Sequence, residues 1–417
     1  MRAPRSFRLL ANKAAKARRL AVWPAWFVFL LLLAALYSPV SANARHAQQG
    51  KPEKLPRQLD KGITWHRDPA TGELRLVTAG AAAGEHKDNV LPGARVFQVV
   101  TQMVPVTCIV SAVDGAAVPG LRRSDFRVFE DGIERPVAYF DASTQPASVA
   151  LVIDASPSVL RDSQEMKRAA DALVGALAPL DEAAVVDFSA HTYLRLPFTD
   201  VRERVLRAVA RIDVRALLGD TGGSNIYEAV YLAARELFPG RQGRKAIVLL
   251  TDGQDSGLGL TLDPESAAPQ PGGAANRLTF DDVARILAAQ DIQLFAVSTE
   301  NRPKVMTPDW LAAHANATLV TAAARSSGIP PYTLYLAELV RRAGGQLYFL
   351  NETSTVASTF RQIAEKIRAE YTLGFYPGRG ADNNAPRPGW HSLRVELVDQ
   401  PGARVSHRAA YYVPAAP

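Results

Sequence analysis

A single cysteine, Cys108, stands in 417 residues, so no intrachain disulfide can hold this chain together. It lies in the apolar run Val106–Val110 and reads as a buried thiol. No cysteine follows the early apolar run, which leaves lipid attachment at a mature N-terminal cysteine unsupported. Stability must therefore come from the size of the core. Acidic residues are missing from positions 1–44, which hold Arg2, Arg5, Arg8, Lys13, Lys16, Arg18 and Arg19. The whole chain carries 48 Lys and Arg against 41 Asp and Glu, so this segment accounts for the entire net charge of +7. Later stretches show no basic run interleaved with aromatics, which argues against a nucleic-acid partner. The seven histidines are scattered without His-Glu-x-x-His spacing. No cofactor loop, activated nucleophile or well-placed general base is evident, which leaves an enzymatic role as a remote reading.

Residues 1–44 are expected to be an export signal, or alternatively a retained N-terminal anchor. The basic start is followed by the uncharged run Val22–Tyr37 and then by small residues suited to cleavage after Ala42 or Ala44. The apolar run is marginal for crossing a hydrocarbon core of about 30 Å. The expected location is extracytoplasmic, secreted or periplasmic, with residues 22–37 the only candidate membrane tether. Residues 45–94 read as an irregular tether with room for one hairpin, Ile63–His66 against Leu74–Val77.

Strand patterns fill 95–145: Val96–Val100, Val104–Val110, Phe126–Phe129 and Val137–Phe140, with turns at Asp114-Gly115 and Asp131-Gly132. Residues 146–370 then alternate buried strands with amphipathic helices. Ser148–Ile153, Ala246–Leu250 and Ile292–Val297 are apolar runs of the kind that fill strands covered on both faces. A helix is expected behind Asp200, and another behind the capping pair Thr279 and Asp282. Residues 301–331 break the rhythm as an insertion. The strand pattern returns over 371–412. The expected fold class is α/β: an open, mostly parallel sheet with helices on both faces, inserted into a smaller β-sandwich-like domain. Strands 95–145 and 371–412 should pair across the insertion, because neither set can bury two sheet faces alone.

Three segments can meet at one edge of that sheet. Asp154, Ser156 and Ser158 follow the first buried strand, Gly222-Gly223-Ser224 precede a helix, and Thr251-Asp252-Gly253 follow another strand. In open parallel sheets, ligands collect outside the carboxyl ends of strands. Asp154, Ser156, Ser158, Ser224 and Asp252 supply only oxygen, which suits Mg²⁺ or another hard divalent cation such as Mn²⁺ or Ca²⁺. Plain helix caps are the bland alternative for such residues.

The three segments together resemble the metal-ion-dependent adhesion site of von Willebrand factor type A domains, over residues 146–370. The resemblance implies that Ser156, Ser158 and Ser224 bind the ion directly, and that Asp154 and Asp252 act mainly through water or hydrogen bonds. It further implies an open coordination position for an Asp or Glu of a protein partner. Ser224 stands where most members have Thr; serine keeps the oxygen and loses the rotamer-fixing methyl. The flanks Val118–Gly132, Tyr371–Pro377, Trp390-His391 and Tyr411-Tyr412 are similar to an exported bacterial group of von Willebrand factor A-related proteins abundant in Acidobacteria. Two protease-like segments fail on inspection. Gly219–Gly223 carries Thr221 at the nucleophile position, and Asp220-Thr221-Gly222 has no second copy to complete a carboxylate pair. The leading functional expectation is a non-enzymatic, metal-dependent protein-binding module. The alternatives are an accessory or assembly factor for an envelope complex and, remotely, a metal-assisted hydrolase.

Overall fold

The computed structural model describes residues 56–67, 74–78, 103–112, 116–142, 145–156, 159, 163–212, 223–258, 277–307, 310, 314, 319, 328–350, 356–378 and 386–413. The export segment, Ser158, Gly222, the strand expected over 96–100 and most of 301–331 lie outside the described residues. Among the described residues no helix is long and apolar enough to cross a membrane.

In chain order the first strands are β1 (Arg57–Gln58), β2 (Ile63–Arg67), β3 (Leu74–Thr78), β4 (Val104–Ser111), β5 (Phe126–Glu130), β6 (Ile133–Arg135) and β7 (Tyr139–Asp141). The α/β region follows with β8 (Ala147–Asp154), α1 (Ser163–Ala176), β9 (Glu182–Phe188), β10 (Thr192–Thr199), α2 (Arg202–Ala210) and α3 (Ile226–Leu237). It continues through β11 (Arg244–Thr251), α4 (Phe280–Ala289), β12 (Gln293–Ser298), α5 (Pro331–Ala343), β13 (Leu347–Phe349) and α6 (Val356–Arg368). The chain closes with β14 (Glu370–Phe375), β15 (Gly389–Leu397), β16 (Arg404–His407) and β17 (Ala410–Val413).

The central sheet runs β1-β10-β9-β8-β11-β12-β13. Its middle is parallel, β9 beside β8, β8 beside β11, β11 beside β12 and β12 beside β13. The edge made by β10 and β1 is antiparallel. Every residue of β8 is buried, as a strand sandwiched between helix layers must be. On one face the even-numbered residues Ala150 and Val152 pack with Ile247 and Leu249 against α3, α4 and α5. On the other, Val149, Leu151 and Ile153 pack with Val248 and Leu250 against α1, α2 and α6. The period-two alternation of the strands thus feeds two separate cores. Two local details differ from expectation. Helix α2 is capped at Val201 rather than Asp200, and the Thr199 hydroxyl accepts from the Val201 N–H at 3.2 Å. Residues 57–58 add an unexpected edge strand, while the β2–β3 hairpin packs on the first core through Leu74 and Trp65.

The remaining strands form two four-stranded sheets, β16-β4-β14-β7 and β17-β15-β5-β6. Strand β4 pairs with β14 and β16, and β5 pairs with β15. Each sheet therefore draws strands from both sides of the α/β insertion. The sheets close over Val106, Cys108, Val110, Val128, Leu373, Phe375 and Val395. Cys108 is fully buried, and burial drives its thiol pKa far upward, so it is a packing residue rather than a reactive one. The β5–β6 hairpin turns at Asp131 and Gly132, both at positive φ, the conformation tight hairpins require.

His407 on β16 provides a pH test of this domain. Its Nε2 accepts from the Val395 N–H at 3.1 Å and its Nδ1 donates to the Arg408 carbonyl at 2.8 Å, which fixes a neutral ring. Burial, aided by the Arg408 and Arg341 charges, pushes its pKa from 6.5 down to about 4. A depressed histidine contributes stability above its ordinary pKa that is lost as pH falls toward the folded value. The loss should approach about 3 kcal/mol for the full shift. Urea unfolding at about pH 7.5 and about pH 4.5 checks it, with a shallower pH dependence expected for His407→Asn. Equal pH losses in both proteins would rule His407 out as the cause.

Candidate functional site

Parallel register brings the site's first elements together. Leu250 of β11 lies opposite Ile153 of β8, so the next residues, Thr251 and Asp154, leave the sheet side by side at its carboxyl edge. Asp154 is fully buried. Its Oδ1 accepts from the Ser156 N–H at 3.0 Å and the Ser224 hydroxyl at 2.8 Å, and its Oδ2 accepts from the Thr251 hydroxyl at 2.8 Å. The Ser156 hydroxyl bonds the same carboxylate. Burial raises the Asp154 pKa above the usual carboxylate range, and these bonds only partly oppose it.

Ser224 is held at both ends of its peptide unit. Its N–H donates to the Ser256 hydroxyl at 3.2 Å and its carbonyl accepts from the Ser256 N–H at 2.7 Å. Gly223 precedes it at φ +75°, and a Cβ there would sit 2.8 Å from the Ser256 hydroxyl oxygen, so both conformation and space call for glycine. The next residue, Asn225, bonds the β9–β10 turn through Ser189 and Ala190. Asp255 ties the loop after β11 to the start of α3, accepting from the N–H groups of Tyr227 at 3.4 Å and Leu258 at 2.7 Å.

The structure thus gathers Asp154, Ser156 and Ser224 into one hydrogen-bonded cluster. Asp252 follows Thr251 directly, with its Oδ1 accepting from the Gln254 N–H at 2.9 Å. Ser158 lies outside the described residues. Thr251, Asp255 and Ser256 complete the arrangement and were not singled out as site residues from sequence. Thr251 was legible only as part of its Thr-Asp-Gly segment. Asp255 and Ser256 act through backbone groups far along the chain, which no local spacing reveals. Beside Asp252, the ring of Tyr332 packs 3.3 Å from where a Cβ on Gly253 would lie. Burial and the charges of Glu300 and Asp252 raise the Tyr332 phenol pKa. His191 belongs to the β1 edge instead, its Nδ1 2.7 Å from Asp60 Oδ2.

The donors suit a hard cation. The gathered side chains offer carboxylate and hydroxyl oxygens only, without nitrogen or sulfur. Among the described residues no group of three or more His, Cys, Asp or Glu is placed to hold a metal, so a site here depends on hydroxyls.

A doubly covered, mostly parallel sheet with a carboxylate–hydroxyl cluster on loops at its carboxyl edge defines the class: an open α/β domain, in which that edge is where ligands commonly collect. Residues 149–254 match the family model of the von Willebrand factor type A domain, and the central domain of this chain is a von Willebrand factor type A domain. Among solved structures, an aerotolerance-related membrane protein from Bacteroides fragilis matches at 18% identity and TM-score 0.35, over 53% of this chain and 98% of that one. A von Willebrand factor type A protein from Catenulispora acidiphila matches at 14% identity and TM-score 0.35, over 74% of each chain. Proximal thread matrix protein 1 from the mussel byssus, with a zinc-occupied metal-ion-dependent adhesion motif, matches at 14% identity and TM-score 0.36, over 57% of this chain and 48% of that one. No curated protein matches this chain.

Proposed function

We propose that this is an extracytoplasmic binding module that recognises an Asp or Glu of a protein partner through a divalent cation, Mg²⁺ being the first choice. The observation that carries the reading is the convergence of the Ser156 and Ser224 hydroxyls on the buried Asp154 carboxylate. In this reading Ser156, Ser158 and Ser224 hold the ion, while Asp154 and Asp252 supply charge and orient the ligands around it. The ion would supply electrostatic attraction for the partner's carboxylate. The domain acts as an interaction module rather than a catalyst. Export rests on the basic, acid-free start and the apolar run that follows it.

Ser224 offers a graded test. Ser224→Thr should keep or tighten Mg²⁺-dependent binding of an Asp-containing peptide, since the hydroxyl remains and the β-branched side chain has fewer rotamers to lose. Ser224→Ala removes the hydroxyl and should weaken binding by about tenfold or more. Fluorescence anisotropy of the labelled peptide, in Mg²⁺ and in EDTA, reads both. Peptide binding indifferent to EDTA and to Ser224→Ala would reject the metal-dependent reading.

A further inference from the structure

At the opposite, amino end of the central sheet, a cavity of about 400 Å³ opens between the sandwich and the α/β domain. Its walls include Thr107 and Thr372 of the sandwich, Tyr139 and Asp141 of β7, and Lys245 and Asp291 of the α/β domain. Lys245 is the anomaly. It lies in β11, a central strand whose residues from Ala246 to Thr251 are all buried, where apolar side chains are the rule. The ammonium is half-buried, and among the described residues no hydrogen bond or ion pair reaches its Nζ.

The neighbouring charges are committed elsewhere. Arg241 pairs with Glu182, and Arg244 donates to the carbonyls of Arg368 and Glu370. Asp291 accepts from the Thr107 hydroxyl at 2.8 Å and lies 3.7 Å from Arg408. Desolvation lowers the Lys245 pKa and the Arg408 charge adds to that, while the charge of Asp291 in the same cavity opposes it without forming an ion pair. The Thr372 hydroxyl on the same wall has no hydrogen-bond partner among the described residues either. A cation and a hydroxyl, neither hydrogen-bonded to another described residue, line one cavity large enough for a small molecule.

We propose that this cavity binds a small oxyanion, a carboxylate or a phosphate, with the Lys245 ammonium as its counter-charge and Thr372 as a second donor. The site lies at the far end of β11 from the Asp154 cluster and does not rest on the metal-dependent reading. A half-buried ammonium with no hydrogen bond to the protein has given up part of its water, and an incoming anion offsets that desolvation.

Thermal unfolding of the whole chain tests this, with succinate and inorganic phosphate as separate probes and sodium chloride at matched ionic strength as control. The expected result is a saturable rise in Tm with at least one probe beyond the chloride control. In Lys245→Met the ligand-free Tm should equal or exceed wild type, and the response should weaken by about tenfold or more. Three outcomes would overturn the proposal. Neither probe raises Tm beyond chloride; the rise persists undiminished in Lys245→Met; or Lys245→Met lowers the ligand-free Tm, which would make the lysine structural. Which probe acts separates a carboxylate ligand from a phosphate one.

Discussion

Replacing Asp154 with Asn is expected to leave the metal-free protein at least as stable as wild type while removing the stabilisation that Mg²⁺ gives. The reason is the sign of the Asp154 pKa shift. Burial raises it, so the folded state prefers the neutral acid, and stability present below the ordinary carboxylate pKa is lost as pH rises through the folded value. At neutral pH the buried anion is therefore a cost, only partly offset by the Ser156, Ser224 and Thr251 hydrogen bonds. Asn removes the charge at nearly constant volume, and the three hydroxyls around it can rotate to donate to its carbonyl or accept from its amide. A bound cation reverses the balance, because the anion then has a counter-charge. At a hundred times its Kd, Mg²⁺ should stabilise wild type by about 2.7 kcal/mol. Asp154→Asn and Asp154→Ala should each weaken the ion by roughly 10–100-fold, the range for carboxylates that orient a metal's ligands. Tm in EDTA and across an Mg²⁺ series gives both halves. A marked drop of the Asn variant in EDTA with an intact Mg²⁺ response would mean that Asp154 is a structural anchor alone.

Glu338 of α5 should make a large contribution to stability. Its carboxylate is fully buried and receives three kinds of donor: Arg341 at 2.8 Å, Arg342 at 2.8 Å, and the Leu319 N–H at 3.0 Å. Burial alone would raise its pKa, but the Arg341 bond and charge, the Leu319 N–H and the Arg342 bond together hold it below the usual value. Leu319 belongs to the 301–331 insertion and is itself buried in the core over α5, so Glu338 pins that insertion to the domain. Glu338→Ala removes the buried acceptor shared by Arg341, Arg342 and the Leu319 N–H, although Arg342 keeps Asp281 at 2.7 Å, and should cost about 3 kcal/mol, the low end for a broken buried pair. Because the folded pKa is depressed, the wild-type contribution is present above the ordinary glutamate value and lost as pH falls through the folded one. Urea unfolding of Glu338→Ala and Glu338→Gln at neutral pH provides the measure. A loss under about 1 kcal/mol in both, the scale of an exposed pair, would show that the network is dispensable.

The features legible in the sequence were those with a local cause. The apolar run Ser148–Ile153 is of the type that fills a doubly covered strand, and Thr279 with Asp282 form the capping box their spacing implied, the Thr279 hydroxyl accepting from the Asp282 N–H. The Asp-x-Ser, Gly-Gly-Ser and Thr-Asp-Gly segments marked the candidate site because each sits where an element ends, and chain order fixes which ends share an edge of a parallel sheet. Helix faces and the burial of Cys108 follow from side-chain periodicity, a property of neighbours in the chain.

What the tertiary structure decided is everything that joins residues with no periodic relation. Ser256 clamps Ser224 from 32 positions away, and Thr251 reaches Asp154 only because β11 lies in register beside β8. The edge strand β1 exists because Leu59 N–H finds the Thr192 carbonyl, although two residues carry no pattern of their own. Lys245 reads in sequence as one more charge at a strand end. Only packing of the sandwich against the α/β sheet removes part of its water without supplying a hydrogen bond or ion pair, and a desolvation cost of that kind belongs to the assembled fold and not to any segment.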